Sequence, residues 1–175
     1  NSQVNSFNIE KDIDYYYVEI GDIDRVSGSI NYKIVEKNDL PSGAKKRLIN
    51  NDVIFSTVRP YLKGIAKVEN DLENLIGTGA FAVLRTSLNQ DFVFSYVRSN
   101  LFIKMLEKSL AGTTYPTVSE KDVLDIYIPF PPIEKQNEIA EHIKNIREKA
   151  QALKDEVKTD LENARKEIEK IIFEN

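Results

Sequence analysis

Ile128-Pro129-Phe130-Pro131-Pro132-Ile133-Glu134-Lys135-Gln136 is the stretch on which the fold turns, and from Ile133 to Asn175 no further proline or glycine follows. Proline fixes φ and lacks a backbone donor, so it suits an extended lead-in or the first turn of a helix and is rare in a helix interior. The spacing predicts a helix that starts near Ile133 and runs to the end of the chain. At about 1.5 Å per residue it would reach roughly 60 Å, about twice the diameter of a small domain. A helix of that length cannot bury itself on a core this small, so it has to meet something else. The predicted architecture is α+β: a mixed-sheet globular domain over residues 1–132, then a long coiled-coil-forming helix over residues 133–175.

That helix carries a seam. Ile139, Ile143, Ile146, Ala150, Leu153 and Val157 alternate steps of four and three, a heptad pattern. Leu161, Ala164, Ile168 and Ile171 or Ile172 continue it after one added residue, so Leu153 to Ala164 spans eleven. An eleven-residue spacing straightens the supercoil or turns it locally right-handed. The two alanines would let a partner helix approach closely. Glu141, Lys144, Glu148, Lys149, Lys158 and Glu162 suit solvated edges. The alternative is one amphipathic helix lying on its own domain, against which its length counts.

Upstream, short strands are predicted at Tyr15–Ile20, Ile30–Val35, Asp52–Val58, Ile65–Val68 and Ala80–Leu84, each flanked by glycine, proline or asparagine turns. Between Asn89 and Leu110 the period changes to that of a helix, with Phe92, Val93, Tyr96, Val97, Leu101, Met105 and Leu106 on one stripe. Asn89 is placed to cap it and Gly112 lies beyond its end. Ser119 is placed to cap a short further turn, and Leu124, Ile126 and Ile128 alternate as a last strand.

With 175 residues, the chain has room for one compact domain and an appendage. There is no apolar run of membrane-crossing length. The absence of cysteine removes disulfides, thiol catalysis and thiolate metal sites, and points to a cytoplasmic protein. No initiator methionine and no basic-then-apolar leader is present, so the chain reads as part of a longer polypeptide without an export signal.

The net charge is −4, which alone argues against a nucleic-acid partner. Its distribution argues the other way. Residues 41–67 hold Lys45, Lys46, Arg47, Arg59, Lys63 and Lys67 against Asp52 alone, a local net of +5, while the first forty residues carry −4. Screening keeps distant acids from cancelling such a stripe. No catalytic constellation accompanies it. His142 is the only histidine and sits on the charged helix beside the seam, the carboxylates lack metal-ligand spacing, and Gly77-Thr78-Gly79 lacks the third glycine of a dinucleotide loop. Neither cofactor nor metal is implied.

What remains is Pro41-Ser42-Gly43-Ala44-Lys45-Lys46-Arg47, then Phe55-Ser56-Thr57-Val58-Arg59-Pro60-Tyr61-Leu62-Lys63. Lysine and arginine offer donors to phosphates, arginine can grip a guanine edge with two hydrogen bonds, and serine or threonine serves backbone or base. A second candidate loop is Gly112-Thr113-Thr114-Tyr115-Pro116-Thr117. The bland alternative for the basic run is a solvated turn.

At these residues the chain resembles one half of a specificity subunit of type I restriction–modification systems. The resemblance rests on Pro41–Ala66, Ala111–Ala140 and the long helix, together more than half the chain. It implies that Ser42, Lys45, Lys46, Arg47, Ser56, Thr57, Arg59, Tyr61 and Lys63 lie at or near a face that binds double-stranded DNA, with Thr113, Thr114 and Tyr115 as a second contact region. It also implies that Ile139 to Ile171 form a pairing seam with a second copy or second half, that methyltransferase and restriction subunits dock on the paired helices, and that the chain has no catalysis of its own. Family members often carry arginine where Gly43 and Lys45–Lys46 stand, so base preference does not carry over. A complete subunit has two recognition domains, so this chain is half of a longer one or a half-subunit that dimerises. A coiled-coil scaffold without DNA binding, and a recognition domain of a single-chain methyltransferase–nuclease, are the competing readings.

Overall fold

The computed structural model describes residues 13–107 and 116–173. Seven strands and four α-helices follow in order: β1 (Asp14–Val18), β2 (Lys33–Glu36), β3 (Ala44–Arg47), β4 (Val53–Ser56), β5 (Ile65–Lys67), β6 (Leu75–Thr78), β7 (Phe81–Leu84), α1 (Gln90–Val97), α2 (Asn100–Glu107), α3 (Glu120–Leu124) and α4 (Ile133–Phe173). The class is α+β, as the residue pattern predicts. The chain divides into two compact units, Asn1–Asn137 and Glu138–Asn175.

Two sheets build the first unit. One has the order β2-β1-β6-β3, the other β5-β4-β7. In the first, β1 runs antiparallel to β2 (Tyr15 opposite Val35) and parallel to β6 (Tyr17 opposite Ile76), so the sheet is mixed. In the second, both neighbours of β4 are antiparallel, with Ile54 opposite Ala66 and Val83. All four residues of β4 are buried, which explains its unbroken apolar reading as a central strand. Val18, Leu48, Ile54, Val68, Leu75 and Phe81 pack into one core cluster. Phe102 of α2 meets Phe55 edge-on at 5.7 Å and Tyr96 at 5.9 Å, so the helices dock on the β4 sheet through rings.

The helix expected from Asn89 to Leu110 is two helices within the described residues. Asn89 caps α1, its side-chain oxygen accepting the Phe92 N–H at 2.9 Å. Ser99 starts α2 by accepting the Phe102 N–H at 3.2 Å, and this second cap breaks the run. Leu101 therefore faces solvent rather than the stripe. The last expected strand is also corrected. Leu124 ends α3, and Ile126 and Ile128 belong to no strand. Their alternation records half-burial beside exposed Asp125 and Tyr127, while Ser119 and Asp122 close a capping box that commits the preceding residues to helix.

The helix α4 is 41 residues long, about 60 Å at the usual rise. Its first turn is fastened within the first unit by Gln136, which is 2% exposed. The Gln136 side-chain amide donates to the Pro131 carbonyl at 2.8 Å and accepts the Asn89 N–H at 3.0 Å. Asn89 also donates to the Asn137 side chain at 2.7 Å. Gln136→Leu keeps the volume but orphans both backbone groups, which should cost about 1–3 kcal/mol in a urea melt. A loss below about 0.5 kcal/mol, the scale of an ordinary surface substitution, would show the clasp to be dispensable.

Beyond that turn, the apolar positions of α4 are largely open: Ile146 is 53% exposed, Leu153 62%, Val157 57%, Leu161 59% and Ile168 56%. Pairs such as Gln151–Asp155 (2.9 Å) and Lys144–Glu148 (3.8 Å) run along the helix surface.

Candidate nucleic-acid interface

β4 delivers the basic stretch to the surface. At its end Ser56 turns the chain, its hydroxyl donating to the Val58 carbonyl at 2.8 Å. Thr57 donates both its N–H (2.9 Å) and its hydroxyl (2.8 Å) to the Ala80 carbonyl. The next residues pair with a distant segment: Val118 N–H donates to the Thr57 carbonyl at 2.9 Å, Arg59 N–H to the Pro116 carbonyl at 2.8 Å, and Val58 bridges Thr117. A small ribbon thus joins the two stretches that chemistry singled out. Thr113, Thr114 and Tyr115 lie outside the described residues, but the chain that follows them emerges beside Arg59.

Arg59 stands in the left-handed region (φ 48°, ψ 59°) immediately before Pro60. A non-glycine residue there costs on the order of 1–2 kcal/mol, and the following proline further disfavours any helical conformation. The turn Pro60–Leu62 follows, and Lys63 is left-handed again (φ 53°, ψ 43°). Strain of this kind persists where the surroundings over-determine it, and it concentrates at functional sites. Arg59 is exposed, Tyr61 is 48% exposed, and the Lys63 ammonium donates to the Asn100 side chain at 2.7 Å.

β3 carries the other cluster along a sheet edge, with a bulge between Ala44 and Lys46 where it pairs with β6. Ser42, Lys45 and Arg47 are exposed. Lys46 is half-buried, and its ammonium meets the Glu120 carboxylate at 2.6 Å. Glu120 opens α3, two residues past Val118, so the ion pair ties β3 to the same segment that pairs with Thr57–Arg59. The Ser119 hydroxyl and N–H, bonded to Asp122, hold that carboxyl below its usual pKa.

The sequence-predicted residues therefore separate by role. Lys45, Arg47, Arg59, Tyr61 and Ser42 present surface; Lys63 is partly committed to Asn100 and Lys46 to Glu120. Ser56 is 1% exposed and, with Thr57, uses its hydroxyl on backbone. Asn100 and Glu120 were not legible as site residues, because their partners lie 37 and 74 positions away. Among the described residues there is no helix long and apolar enough to cross a membrane, and no group of three or more histidine, aspartate or glutamate residues that could hold a metal ion.

Comparison with known proteins adds a second line. A family model described as type I restriction modification DNA specificity domain matches residues 2–163. The HindI specificity subunit of Haemophilus influenzae is 26% identical over 152 residues, covering 83% of this chain and 32% of the relative. The MjaVIII specificity subunit of Methanocaldococcus jannaschii is 28% identical over 132 residues, 72% of this chain and 31% of its own length. The chain thus spans about a third of the length of these curated relatives. Among solved structures, the HsdS subunit from Thermoanaerobacter tengcongensis superposes with a TM-score of 0.74 at 36% identity, over 81% of this chain and 37% of that one. A structure of complex assembly and conformational transition in the type I R-M system gives 0.75 at 35% identity, over 91% of this chain and 41% of that one.

Proposed function

Because the chain belongs to the type I restriction modification DNA specificity domain family, we propose that it is a non-catalytic recognition module that binds one part of a two-part DNA target. Methyltransferase and restriction subunits dock on the assembly it forms, and the complex works in the cytoplasm. Residues 1–132 read DNA, and residues 133–175 pair with a second copy or second half and set the distance between two recognition domains. Affinity comes from phosphate contacts made by cations, and specificity from a few side chains in a groove.

The observation that carries this reading is the ribbon between Thr57–Arg59 and Pro116–Val118, because it gathers the basic stretch and the end of the hydroxyl loop on one surface. Arg59, Lys45, Arg47 and Tyr61 make contacts there, and Thr113, Thr114 and Tyr115 serve as a second contact region. Ser56 and Thr57 shape the turn that presents Arg59.

Arg59→Gly tests the reading cleanly. Glycine takes φ 48° without steric cost, so stability should stay within about 1 kcal/mol of wild type. Affinity for a duplex selected from a random pool by the wild-type chain should fall by about 1–3 kcal/mol, roughly fivefold to 150-fold. Fluorescence titration showing unchanged affinity for both Arg59→Gly and Lys45→Ala would sink the assignment. A scaffold without DNA binding predicts no salt-dependent duplex binding at all, so the same titration separates the two readings.

A further inference from the structure

We infer that the turn Asp24–Ser29 is a third element of the DNA face, and that Arg25 and Arg59 together seat one backbone phosphate in the cavity they share. The inference rests on the reading of the chain as a DNA-recognition module.

The turn is clamped from both sides. Asp24 Oδ1 accepts the N–H groups of Val26 (3.0 Å) and Ser27 (2.6 Å) and the Ser27 hydroxyl (2.8 Å). Gly28 N–H returns to the Asp24 carbonyl at 2.7 Å, and Asp24 N–H donates to the Ser29 carbonyl at 3.0 Å. From below, Arg98 donates to the carbonyls of Arg25 (3.0 Å) and Val26 (2.7 Å), and its other terminal nitrogen donates to that of Ile65 (2.8 Å). Its guanidinium lies 5.2 Å from the Phe94 ring centroid. Gly28 is required: φ is +81°, and a Cβ would stand 2.6 Å from Phe94 and 2.8 Å from Arg98. Arg98 thus acts as a positioning residue. A turn held this way fixes the backbone of Arg25 and leaves its side chain at the surface, so little ordering remains to be done on binding.

Two cavities border Arg25. The larger, about 640 Å3, is lined by the turn and its approach and includes Asp22 and Asp24. Both acids are engaged, Asp22 with Lys33 at 2.7 Å and Asp24 in the turn, but they still disfavour an anion there. The smaller, about 130 Å3, brings Arg25 together with Ser56, Val58, Arg59, Leu62 and Gly64, and among the described residues no carboxylate lines it. That is roughly ten times the space a single water needs, a volume on the scale of a phosphate group. Two guanidinium groups on a cavity that no described carboxylate lines, one on a clamped turn and one on a strained residue, suit a phosphodiester oxygen pair. The contact carries no base information and serves to set the register of the protein on the duplex.

The test uses the full chain and a random-sequence duplex of about three helical turns, since phosphate contacts are independent of sequence. For wild type, Arg25→Ala, Arg25→Lys and Arg59→Gly, affinity is measured from low to moderate salt. Because the seat needs both guanidinium groups to hold its one phosphate, Arg25→Ala should lose that contact and make the slope of log affinity against log salt shallower by about 0.9, as Arg59→Gly should. Arg25→Lys should keep the wild-type slope. An Arg25→Ala slope equal to wild type, with Arg59→Gly still shallower, overturns this inference and leaves the DNA-recognition reading standing. Arg25→Lys losing as much slope as Arg25→Ala also overturns it, because charge would not then carry the contact. If wild type shows no salt-dependent duplex binding, the reading and the inference fail together.

Discussion

Arg85→Ala is expected to cost about 3 kcal/mol of folding stability, more than any surface substitution in the chain. Asp52 is fully buried and its carboxylate is gripped at both oxygens: Arg85 Nε donates to Oδ1 and Nη2 to Oδ2, each at 2.7 Å. Oδ2 also accepts the Ile49 N–H at 2.9 Å. The carboxylate raises the pKa of the Arg85 guanidinium. Removing the arginine leaves a buried anion with one remaining donor, and breaking such a pair typically costs about 3–5 kcal/mol. The low end applies because the Arg85 side chain is 36% exposed and water can enter where it stood. Asp52→Asn should cost less, about 1–3 kcal/mol, since the amide still fills the space and the guanidinium can turn outward. Replacing both, Asp52→Leu with Arg85→Met, should recover much of the loss, as apolar replacements of buried pairs often do. Urea melts of the three variants decide the matter. A loss below about 1 kcal/mol for Arg85→Ala would mean that the pair is not structural. The pair sits at the start of β4, where Val53 lies opposite Leu84, so it fixes the strand register that carries Thr57–Arg59 to the surface.

How far the chain could be read in advance follows from where the information resides. β4, β5 and β7 were legible because their residues are mostly buried and so mostly apolar: all of Val53–Ser56, Ile65 and Ala66 of β5, and Phe81, Ala82 and Val83 of β7. β3 was not, because Ala-Lys-Lys-Arg has no strand signature; it exists by pairing with β6 at a sheet edge. β6 was hidden too, as Leu-Ile-Gly-Thr is short and glycine-bearing. Leu124–Ile128 misled because Leu124 is an exposed residue at the end of α3, while Ile126 and Ile128 are half-buried in alternation without forming a strand. The two parts of the site were visible as basic and hydroxyl-rich stretches, since composition is local. Their convergence was not, and neither was the left-handed Arg59, because a residue before proline is ordinarily extended. Arg25 had no signal beyond its charge. Its importance depends on Arg98, 73 positions away.

Leu153→Asp should abolish pairing of the long helix at concentrations where the wild-type chain is dimeric. Along α4 the apolar seam stays more than half exposed at Ile146, Leu153, Val157, Leu161 and Ile168, in a helix whose remaining faces are charged. Stabilising such a helix in isolation falls to propensity and weak side-chain pairs, whereas burying one leucine contributes about 1.5–3 kcal/mol. In a symmetric pair each substitution acts twice. Losing two leucines therefore removes about 3–6 kcal/mol, a weakening of roughly a hundredfold to ten-thousandfold, before the cost of placing two carboxylates in an apolar seam. Lys149→Asp, off the seam, should change little. Sedimentation equilibrium over a wide concentration range reads both variants. Wild type that stays monomeric at the highest soluble concentration overturns self-pairing and leaves a different helix as the partner. Leu153→Asp that dimerises like wild type moves the interface off the seam altogether. The Leu153–Ala164 spacing of eleven makes a further demand: pairing should survive in a straight or locally right-handed path, so inserting three residues after Val157, to force a continuous heptad, should weaken it.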